Sequence, residues 1–403
     1  MTLGVYGSPA TLDPYSKLAS DLTYELAVPV YPSLFRFDPA GTPHAYLASA
    51  VAKIAGGVRV TLRKARWSTG QPVSAADVVA TVRRAGPPSG FSHITSARAV
   101  GKRTVELHGK ISDWKRLLAT VAYVLPGGKP RRISAGPFEI AAFTPGLQVT
   151  FHRNPKWWGR PLLDGVKVEF APSLQILLLL LKEGKLDAAA PPSSVNLDDR
   201  LDQLGMHHSD ALGWESIQLR FTDPGLTPAQ RRAVMAAVDR RRLSRGFIRG
   251  AGRVSNALHP GPGRHGVRGP WSRPMPPGGV VHRRLILSAP SGDELLELLQ
   301  RVLQSEMSKA ATDLEVATVD PQTFYGAWRI QSPTQIALSR VAGAPGLAGD
   351  GAAYRRASSE PLFQVETVLA WRDGIRGLRA DPTFDGPLWN VEAWSRGATT
   401  SSG

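Results

Sequence analysis

Cysteine is missing from the 403 residues of this chain. Its absence excludes disulfide bonds, thiol catalysis and cysteine-ligated metal sites. Long apolar runs are missing too, since the longest, Ile176–Leu181, is too short to span a bilayer. The first residues, Met1–Tyr6, show no secretory leader pattern. If the protein is exported, we therefore expect that a leader has been removed, through which it would be lipid-anchored as a lipoprotein.

The motifs of catalysis and nucleotide binding are equally scarce. Gly261–Gly266 fits the spacing of a dinucleotide loop, but Pro262 interrupts it and Pro270 prevents a following helix. The pair His207-His208 has no further ligand at helical spacing, so we predict a solvated loop pair and no metal. No nucleophile, base and orienting group come together. The sequence thus predicts a protein that is not an enzyme and has no cofactor.

Acidic residues are outnumbered by basic ones. The chain has 49 Lys and Arg against 33 Asp and Glu, a net charge of +16. This excess suits either an acidic partner or simply a basic, soluble surface. No basic stripe is interleaved with aromatic residues, so we expect no nucleic-acid partner. Many arginines fall in a loop rich in glycine and proline: Arg253, Arg264, Arg268, Arg273, Arg283 and Arg284. We expect this loop to face an anionic envelope surface, the alternative being a cleft mouth that favours an acidic solute.

Local patterns indicate strands and helices in alternation. Val58, Val60 and Leu62 alternate with polar residues, which is typical of a half-buried strand. Further strands are predicted over Val166–Phe170 and Leu314–Val319. Helix starts with an N-cap are predicted at Ser74, Ser173, Thr227 and Ser291. A helix followed by a strand on both sides of a loop-rich middle favours the α/β class.

Several segments, taken in order, resemble one family. The first half contributes Thr11–Pro14, Val30–Asp38, Gly41–Pro43, Val60–Lys64, Trp67–Val73, Ala75–Val78, Gly136–Phe138 and Arg153–Gly159. The second half contributes Gly184–Asp187, Arg231–Arg240, Pro361–Phe363, Gly374–Gly377 and Leu388–Asn390. Together they resemble the family 5 extracellular solute-binding proteins, the dipeptide, oligopeptide and nickel binders of ABC transporters. Each segment alone is a weak match, but their common order spans almost the whole chain.

The resemblance implies a fold of the periplasmic-binding-protein type. Two α/β lobes would be joined by a hinge, with an extra third domain in the first half. We expect a discontinuous first lobe over 1–44, 160–222 and 357–403. The extra domain would cover 45–159, and a shortened second lobe would cover 223–356.

The resemblance also implies a function and a site. We expect an extracytoplasmic protein, periplasmic or at the cell surface, that captures a small or peptide-like solute between its lobes. It would act as a monomer and deliver the solute to an ABC transporter permease. Loops at Gly7–Leu12 and Ser339–Asp350 would face the cleft, with these candidate ligand contacts: Gly7, Ser8, Pro9, Thr11, Ser339, Arg340 and Asp350. The alternative is a family scaffold with a degenerate pocket that serves as an envelope or protein-interaction module.

One segment departs from the family pattern. Between about Thr334 and Ser359 the family usually carries a longer loop, in which an Asp binds the α-amino group of a peptide. Here the matching residues are Val341–Gly346, without an acid, and the spacing of Asp350 differs. A buried ammonium needs a paired acid. The sequence therefore predicts that the solute is not a peptide held at its free amino terminus by a dedicated carboxylate.

Overall fold

The computed structural model describes residues 1–248, 251–261, 281–326, 335–342 and 350–397. The strands of this part are β1 (Thr2–Tyr6), β2 (Phe35–Phe37), β3 (Pro43–Ala45), β4 (Ala48–Ile54), β5 (Gly57–Leu62), β6 (Ser96–Gly101), β7 (Thr104–His108), β8 (Phe138–Thr144), β9 (Gln148–Arg153), β10 (Gly165–Ala171), β11 (Ala188–Ala190), β12 (His207–Phe221), β13 (Gly252–Val254), β14 (Val281–Pro290), β15 (Ala311–Val319), β16 (Ile336–Val341), β17 (Ser359–Trp371), β18 (Ile375–Arg376) and β19 (Ser395–Arg396).

The α-helices of the described residues are α1 (Asp21–Ala27), α2 (Ala75–Arg84), α3 (Trp114–Leu117), α4 (Leu174–Lys182), α5 (Leu197–Gln203), α6 (Pro228–Ala236), α7 (Arg240–Phe247), α8 (Glu294–Met307), α9 (Pro321–Tyr325) and α10 (Asp350–Arg356). Short 3₁₀ turns cover Gly90–His93, Pro126–Gly128, Gly386–Leu388 and Val391–Ala393. None of the helices in these ranges is both long and apolar enough to cross a membrane.

One large sheet organises the described chain. Its strands lie in the order β15-β14-β16-β12-β17-β11-β1-β10-β9-β8, and β13 also pairs with β17. A separate four-stranded antiparallel sheet, β4-β5-β7-β6, is packed beneath α2. The chain is thus a mixed α/β protein, as the sequence predicts.

Two groups of parallel strands lie on opposite halves of the large sheet. On the β1 side, β1 is parallel to both β10 and β11. On the β14 side, β14 is parallel to both β15 and β16. The long antiparallel pair of β12 and β17 connects the two sides, and its register shifts between Leu212 and Ser216. Such a bulge bends a strand locally, so the sheet changes direction between its two halves.

Three hydrophobic clusters fill the interior. The first joins the β1 side to the four-stranded sheet and includes Trp67, Tyr123 and Trp394. We call the second cluster the middle cluster. It lies on the β14 side, and its buried residues fall between Ile217 and Val365 in the sequence. The third packs α4 and α5 on the sheet. Separate cores of this kind are what a chain of this length forms.

The helix starts follow the predicted caps with one correction. Ser74, Ser173 and Thr227 each accept a hydrogen bond from the backbone of the first helical turn. For α8, however, the N-cap is Asp293, whose side chain accepts from the N–H of Leu296, and not Ser291. Ser291 lies in the turn before it, where its N–H donates to the carbonyl of Val319. Both residue types cap well, and the strand β14 extends to Pro290, which moves the helix start downstream.

Other local predictions also need correction. Ser339 and Arg340 were expected in a loop, but they are residues of the buried strand β16. His207 and His208 belong to β12 and lie beside Asp373 and Asp202 respectively. Short stretches without alternation, such as Ile336–Val341, carry little sequence evidence of a strand, and only pairing with neighbouring strands fixes them.

Candidate functional site

A cleft lies where the carboxyl ends of the two parallel strand groups meet. In open α/β sheets this edge is the usual place for a ligand. The space measures about 850 Å³, counting the part that is open to solvent. The residues that line it are Val5, Tyr6, Gly7, Ser8, Ser20, Asp21, Leu22, Glu25, Ala190, Pro191, Pro192, Glu215, Tyr325, Arg340, Thr367, Val368 and Pro387.

The turn after β1 forms one wall of this cleft. Gly7 has a φ of +80°, a left-handed conformation that glycine adopts without strain. Its N–H donates to the carbonyl of Ala171, 2.8 Å away, which extends the parallel pairing of β1 with β10. The Ser8 hydroxyl accepts from the N–H of Gly146 at 3.0 Å. The backbone of this wall is therefore fixed before any solute arrives.

Helix α1 contributes two carboxylates to the cleft. Asp21 and Glu25 are four residues apart, so they lie on the same face of the helix. Asp21 accepts a hydrogen bond from the N–H of Ala342 at 2.9 Å, a contact that reaches across to the β14 side. The carboxyl group of Glu25 forms no hydrogen bond or ion pair with the described residues. Burial first, and then the neighbouring carboxylates, raise the pKa of Glu25 to about 8.

Arg340, at the end of β16, is the basic residue of the lining. Its Nε donates to Asp293 Oδ2 at 2.6 Å, and its Nη1 lies 3.1 Å from Glu215 Oε1. The same guanidinium also donates to the hydroxyl and the carbonyl of Ser193. These acidic neighbours outweigh burial and raise the pKa of Arg340 above its ordinary value. Its charge is thus satisfied within the protein and is not free for a solute.

Two tyrosines line the same space. The Tyr6 hydroxyl donates to the carbonyl of Ser291 at 2.8 Å, so a β1-side residue holds the turn after β14. Burial raises the pKa of Tyr6 and of Tyr325 far above the ordinary value, and both remain neutral. Their rings present apolar surface beside a polar hydroxyl, which suits the orientation of a small solute.

A second space of about 920 Å³ shares Asp21 with the first. It lies between α1, the Pro87-Pro88 turn and the β14 side, where Gln218 and Arg220 are among its lining residues. Because Asp21 lines both spaces, a solute longer than one space holds could extend past this side chain. No group of three or more His, Asp or Glu side chains in the described ranges is arranged to hold a metal ion.

The structure brings together only some of the predicted site residues. Gly7, Ser8 and Arg340 line the cleft. Pro9 and Thr11 follow in the same segment but are not among the lining residues, and Thr11 instead accepts the N–H of Asp13. Ser339 is buried, and because neighbours on a strand alternate, it points away from Arg340. The residues 343–349 and the side chain of Asp350 lie outside the described part of the chain.

Five of the fourteen lining residues that the sequence predictions missed are acids or tyrosines: Tyr6, Asp21, Glu25, Glu215 and Tyr325. One signal in the sequence pointed to two of them. Asp21 and Glu25 are like charges at helical i, i+4 spacing, and α1 contains no basic residue. Such a pair destabilises a helix unless something compensates it. The acid that the loop near Val341 lacks is thus supplied to the cleft by a different element.

The sequence of this chain is similar to those of known binding proteins. The sequence model described as bacterial extracellular solute-binding proteins, family 5 Middle, matches residues 44–270. A binding protein of Brucella melitensis is 29% identical over 227 residues. That alignment covers 46% of this chain and 37% of the relative, so the match spans little more than a third of the relative's length.

Solved structures match the fold over nearly the whole chain. One is AgaA from A. tumefaciens R10 in complex with agropinic acid, with a TM-score of 0.82 and 17% identity. Another is the oligopeptide-binding protein AppA from Bacillus subtilis in complex with a nonapeptide, with a TM-score of 0.80 and 14% identity. Both alignments cover 98% of each chain. At this identity the likeness shows the fold, which is that of two-lobed binding proteins.

Proposed function

The chain belongs to the bacterial extracellular solute-binding proteins of family 5, and we propose that it captures a small solute in the cleft for an ABC transporter. The solute would be peptide-like or another small polar molecule. Proteins of this family bind solutes and are not enzymes. Capture would take place outside the cytoplasm, with delivery to a permease at the membrane.

One observation carries this proposal. The carboxyl ends of the parallel strands β1 and β11 on one side and of β16 on the other border one common cleft. The cleft has apolar walls and a few converging polar groups, which is the usual lining of a small-ligand site. The alternative, a scaffold with a degenerate pocket, is not favoured, because the lining retains fixed turns and an unpaired carboxylate.

We propose that the two sides of the cleft are the two lobes, with the boundaries that the sequence predicts. The first lobe would comprise 1–44, 160–222 and 357–403, the extra domain 45–159, and the second lobe 223–356. The middle cluster on the β14 side supports a second lobe with a core of its own, to which residues of β12 and β17 from the first lobe also contribute. Closure of the lobes around the bulge in β12 would bury the solute.

A ligand screen tests the proposed function. A ligand that binds only the folded protein raises its apparent stability by mass action. We expect at least one member of a library of dipeptides, amino acid derivatives, opines and metal–histidine complexes to raise the melting temperature and to bind in calorimetry. Leu22→Trp, which adds bulk inside the cleft, should abolish this binding. The same substitution at exposed Leu147, outside the cleft lining, should leave it unchanged.

The controls separate the outcomes. If Leu147→Trp and Leu22→Trp behave alike while both stay folded, the solute binds elsewhere, and the cleft is not the site. If no member of the library stabilises the wild-type protein, the capture of a small solute is contradicted.

A further inference from the structure

The charged side chains that line the cleft differ in how many hydrogen-bond and ion-pair partners they have within the protein. Arg340 is matched by Asp293 and Glu215, and Asp21 accepts a backbone N–H from the opposite side. Glu25 is the exception among the charged lining residues, because no donor or cation in the described part of the chain contacts its carboxyl group. The side chain nevertheless borders open space of the cleft.

The surroundings of Glu25 are uniformly acidic. The carboxylates that act on it are Asp21 on the same helix, Glu215 on β12, and Asp381 and Asp385 from the segment after β18. The two tyrosines that share the lining, Tyr6 and Tyr325, are neutral. Gly386 lies directly against the stem of Glu25, where an added Cβ would be 2.4 Å from Cγ. The side chain is thus held in place without a partner for its charge.

A second acid in this group is also incompletely satisfied. Asp381 is only 2% exposed, and its Oδ1 has no hydrogen-bond partner among the described residues. Its other oxygen accepts from the hydroxyl of Thr383. Asp381 therefore has one oxygen without a hydrogen bond, the carboxyl group of Glu25 has no partner among the described residues, and the empty volume of the cleft lies beside Glu25.

An uncompensated carboxylate in a partly buried site costs free energy, which a cation placed beside it recovers. Among the described residues no such cation is available, since the one basic residue of the lining, Arg340, is already paired. We propose that the cleft selects solutes with a cationic group, a protonated amine or a guanidinium, and binds that group against Glu25, with Asp21 one helical turn away. This inference rests on the proposed function, and it names the chemistry of the solute. It differs from the sequence-based prediction that the solute is not a peptide held at its free amino terminus by a dedicated carboxylate.

Binding of a cation would change the protonation of Glu25. A cation beside Glu25 favours the ionised carboxylate, so binding releases a proton from Glu25 to solvent while the amine keeps its own. Affinity should therefore rise with pH up to about 8, where the empty site ionises unaided. A neutral solute that accepts a hydrogen bond from protonated Glu25 would show the opposite trend.

A matched set of three probes tests the charge preference. Alanylalanine amide is a monocation, its N-acetyl derivative is neutral, and its N-succinyl derivative is an anion. The screen should include agmatine as the guanidinium probe and equal numbers of neutral and anionic solutes. We expect stabilisation by cationic members only. For these, Glu25→Gln should weaken binding about ten- to hundredfold, the usual effect of losing a hydrogen bond between charged groups.

Glu183→Gln provides the matched control, because Glu183 lies at the end of α4, outside the cleft lining, and pairs with Lys185. It should bind like the wild type. If Glu25→Gln does not fold, calorimetry of the wild type in buffers of different ionisation enthalpy still measures proton release. Binding of neutral or anionic solutes without cationic ones, or full affinity in folded Glu25→Gln, overturns this inference but leaves the proposed function intact. The absence of any bound solute overturns both.

Discussion

Arg200 and Glu294 form a two-pronged ion pair across the two sides of the cleft. The Nη1–Oε2 distance is 2.7 Å and the Nη2–Oε1 distance is 3.2 Å. Arg200 belongs to α5, which packs on the β1 side, and Glu294 is the first residue of α8 on the β14 side. The hydroxyl of Ser194 donates to the same carboxylate. This geometry is the strong, directional form of an arginine–carboxylate contact.

Glu294→Gln is expected to shift the ligand-free protein toward a more open form. The pair is partly exposed, so its loss should change the free energy of unfolding by only about 0–1 kcal/mol. The open and closed forms differ little in free energy, however. Their populations are therefore more sensitive than the free energy of unfolding to a contact that exists in only one of the two forms. Small-angle scattering should show a larger radius of gyration. Glu315→Gln, which breaks a surface pair with Arg284 on one side only, should not. Equal radii for the two variants would contradict a role in closure.

Arg340→Met is expected to destabilise the protein by about 3–5 kcal/mol, because it leaves Asp293 and Glu215 buried without a cation. Arg340→Lys should recover only part of this loss, since an ammonium group cannot reproduce the fork of hydrogen bonds. Chemical denaturation measures both values. Arg284→Met, at an exposed pair, should cost less than about 1 kcal/mol. A loss of similar size in the two methionine variants would contradict the importance of the buried network.

The stability of the ligand-free protein should fall as pH rises from about 5 to about 8. The folded state holds the pKa of Glu25 at about 8, whereas an unfolded glutamate titrates near about 4.3. The folded chain therefore binds more protons in this window, and raising the pH removes that advantage. Glu360, with a pKa of about 8, acts in the same direction.

Glu25→Gln isolates the contribution of Glu25 to this pH dependence. The variant should match the wild type near pH 5 and exceed its free energy of unfolding near pH 8. Urea denaturation at a series of pH values gives the difference directly. A difference that does not change with pH would show that Glu25 titrates normally. A gain in stability together with a loss of cation binding is the pattern expected of a residue kept for function.

Binding to anionic vesicles should be weak and sensitive to salt. Of the six arginines predicted to face an envelope surface, Arg283 pairs with Asp223 and Arg284 with Glu315. Arg253 lies beside Gln364, and the other three are outside the described residues. Co-sedimentation with phosphatidylserine vesicles at low salt should detect binding that moderate salt removes. If no protein sediments even at low salt, the envelope contact is wrong.

The local elements of this fold were readable from the sequence because short-range physics determines them. The cap residues Ser74 and Thr227 and the alternation of Val58, Val60 and Leu62 act within one turn or one strand. They also fall at the spacing of a known family, and the α/β class and the two-lobed fold were predicted correctly. Gly7 and Ser8, which follow β1 and were expected at the cleft, are among its lining residues.

The chemistry of the cleft was far less predictable. Glu25, Glu215 and Tyr325 are separated by about two hundred and about one hundred residues along the chain, and only the crossing of the sheet brings them together. Arg340 was identified as a lining residue, but its pairing with Asp293 could not be foreseen, because the partner lies at the cap of another helix. The spacing of apolar residues in a sequence indicates which side of a helix or strand is buried. It does not indicate which charged residues contact each other across a cleft.

The antiparallel pairing of β12 with β17 has a consequence for the ancestry and engineering of the molecule. Ser216 and Gln364 are directly paired, so the chain leaves the β1 side and returns to it at neighbouring positions. The residues between them therefore form one continuous insertion into the chain of the β1 side. If this insertion were removed, a single short hairpin could reconnect β12 to β17. The β14 side could thus be exchanged between relatives as one block, provided that the block brings its own partners for Asp21 and Arg200.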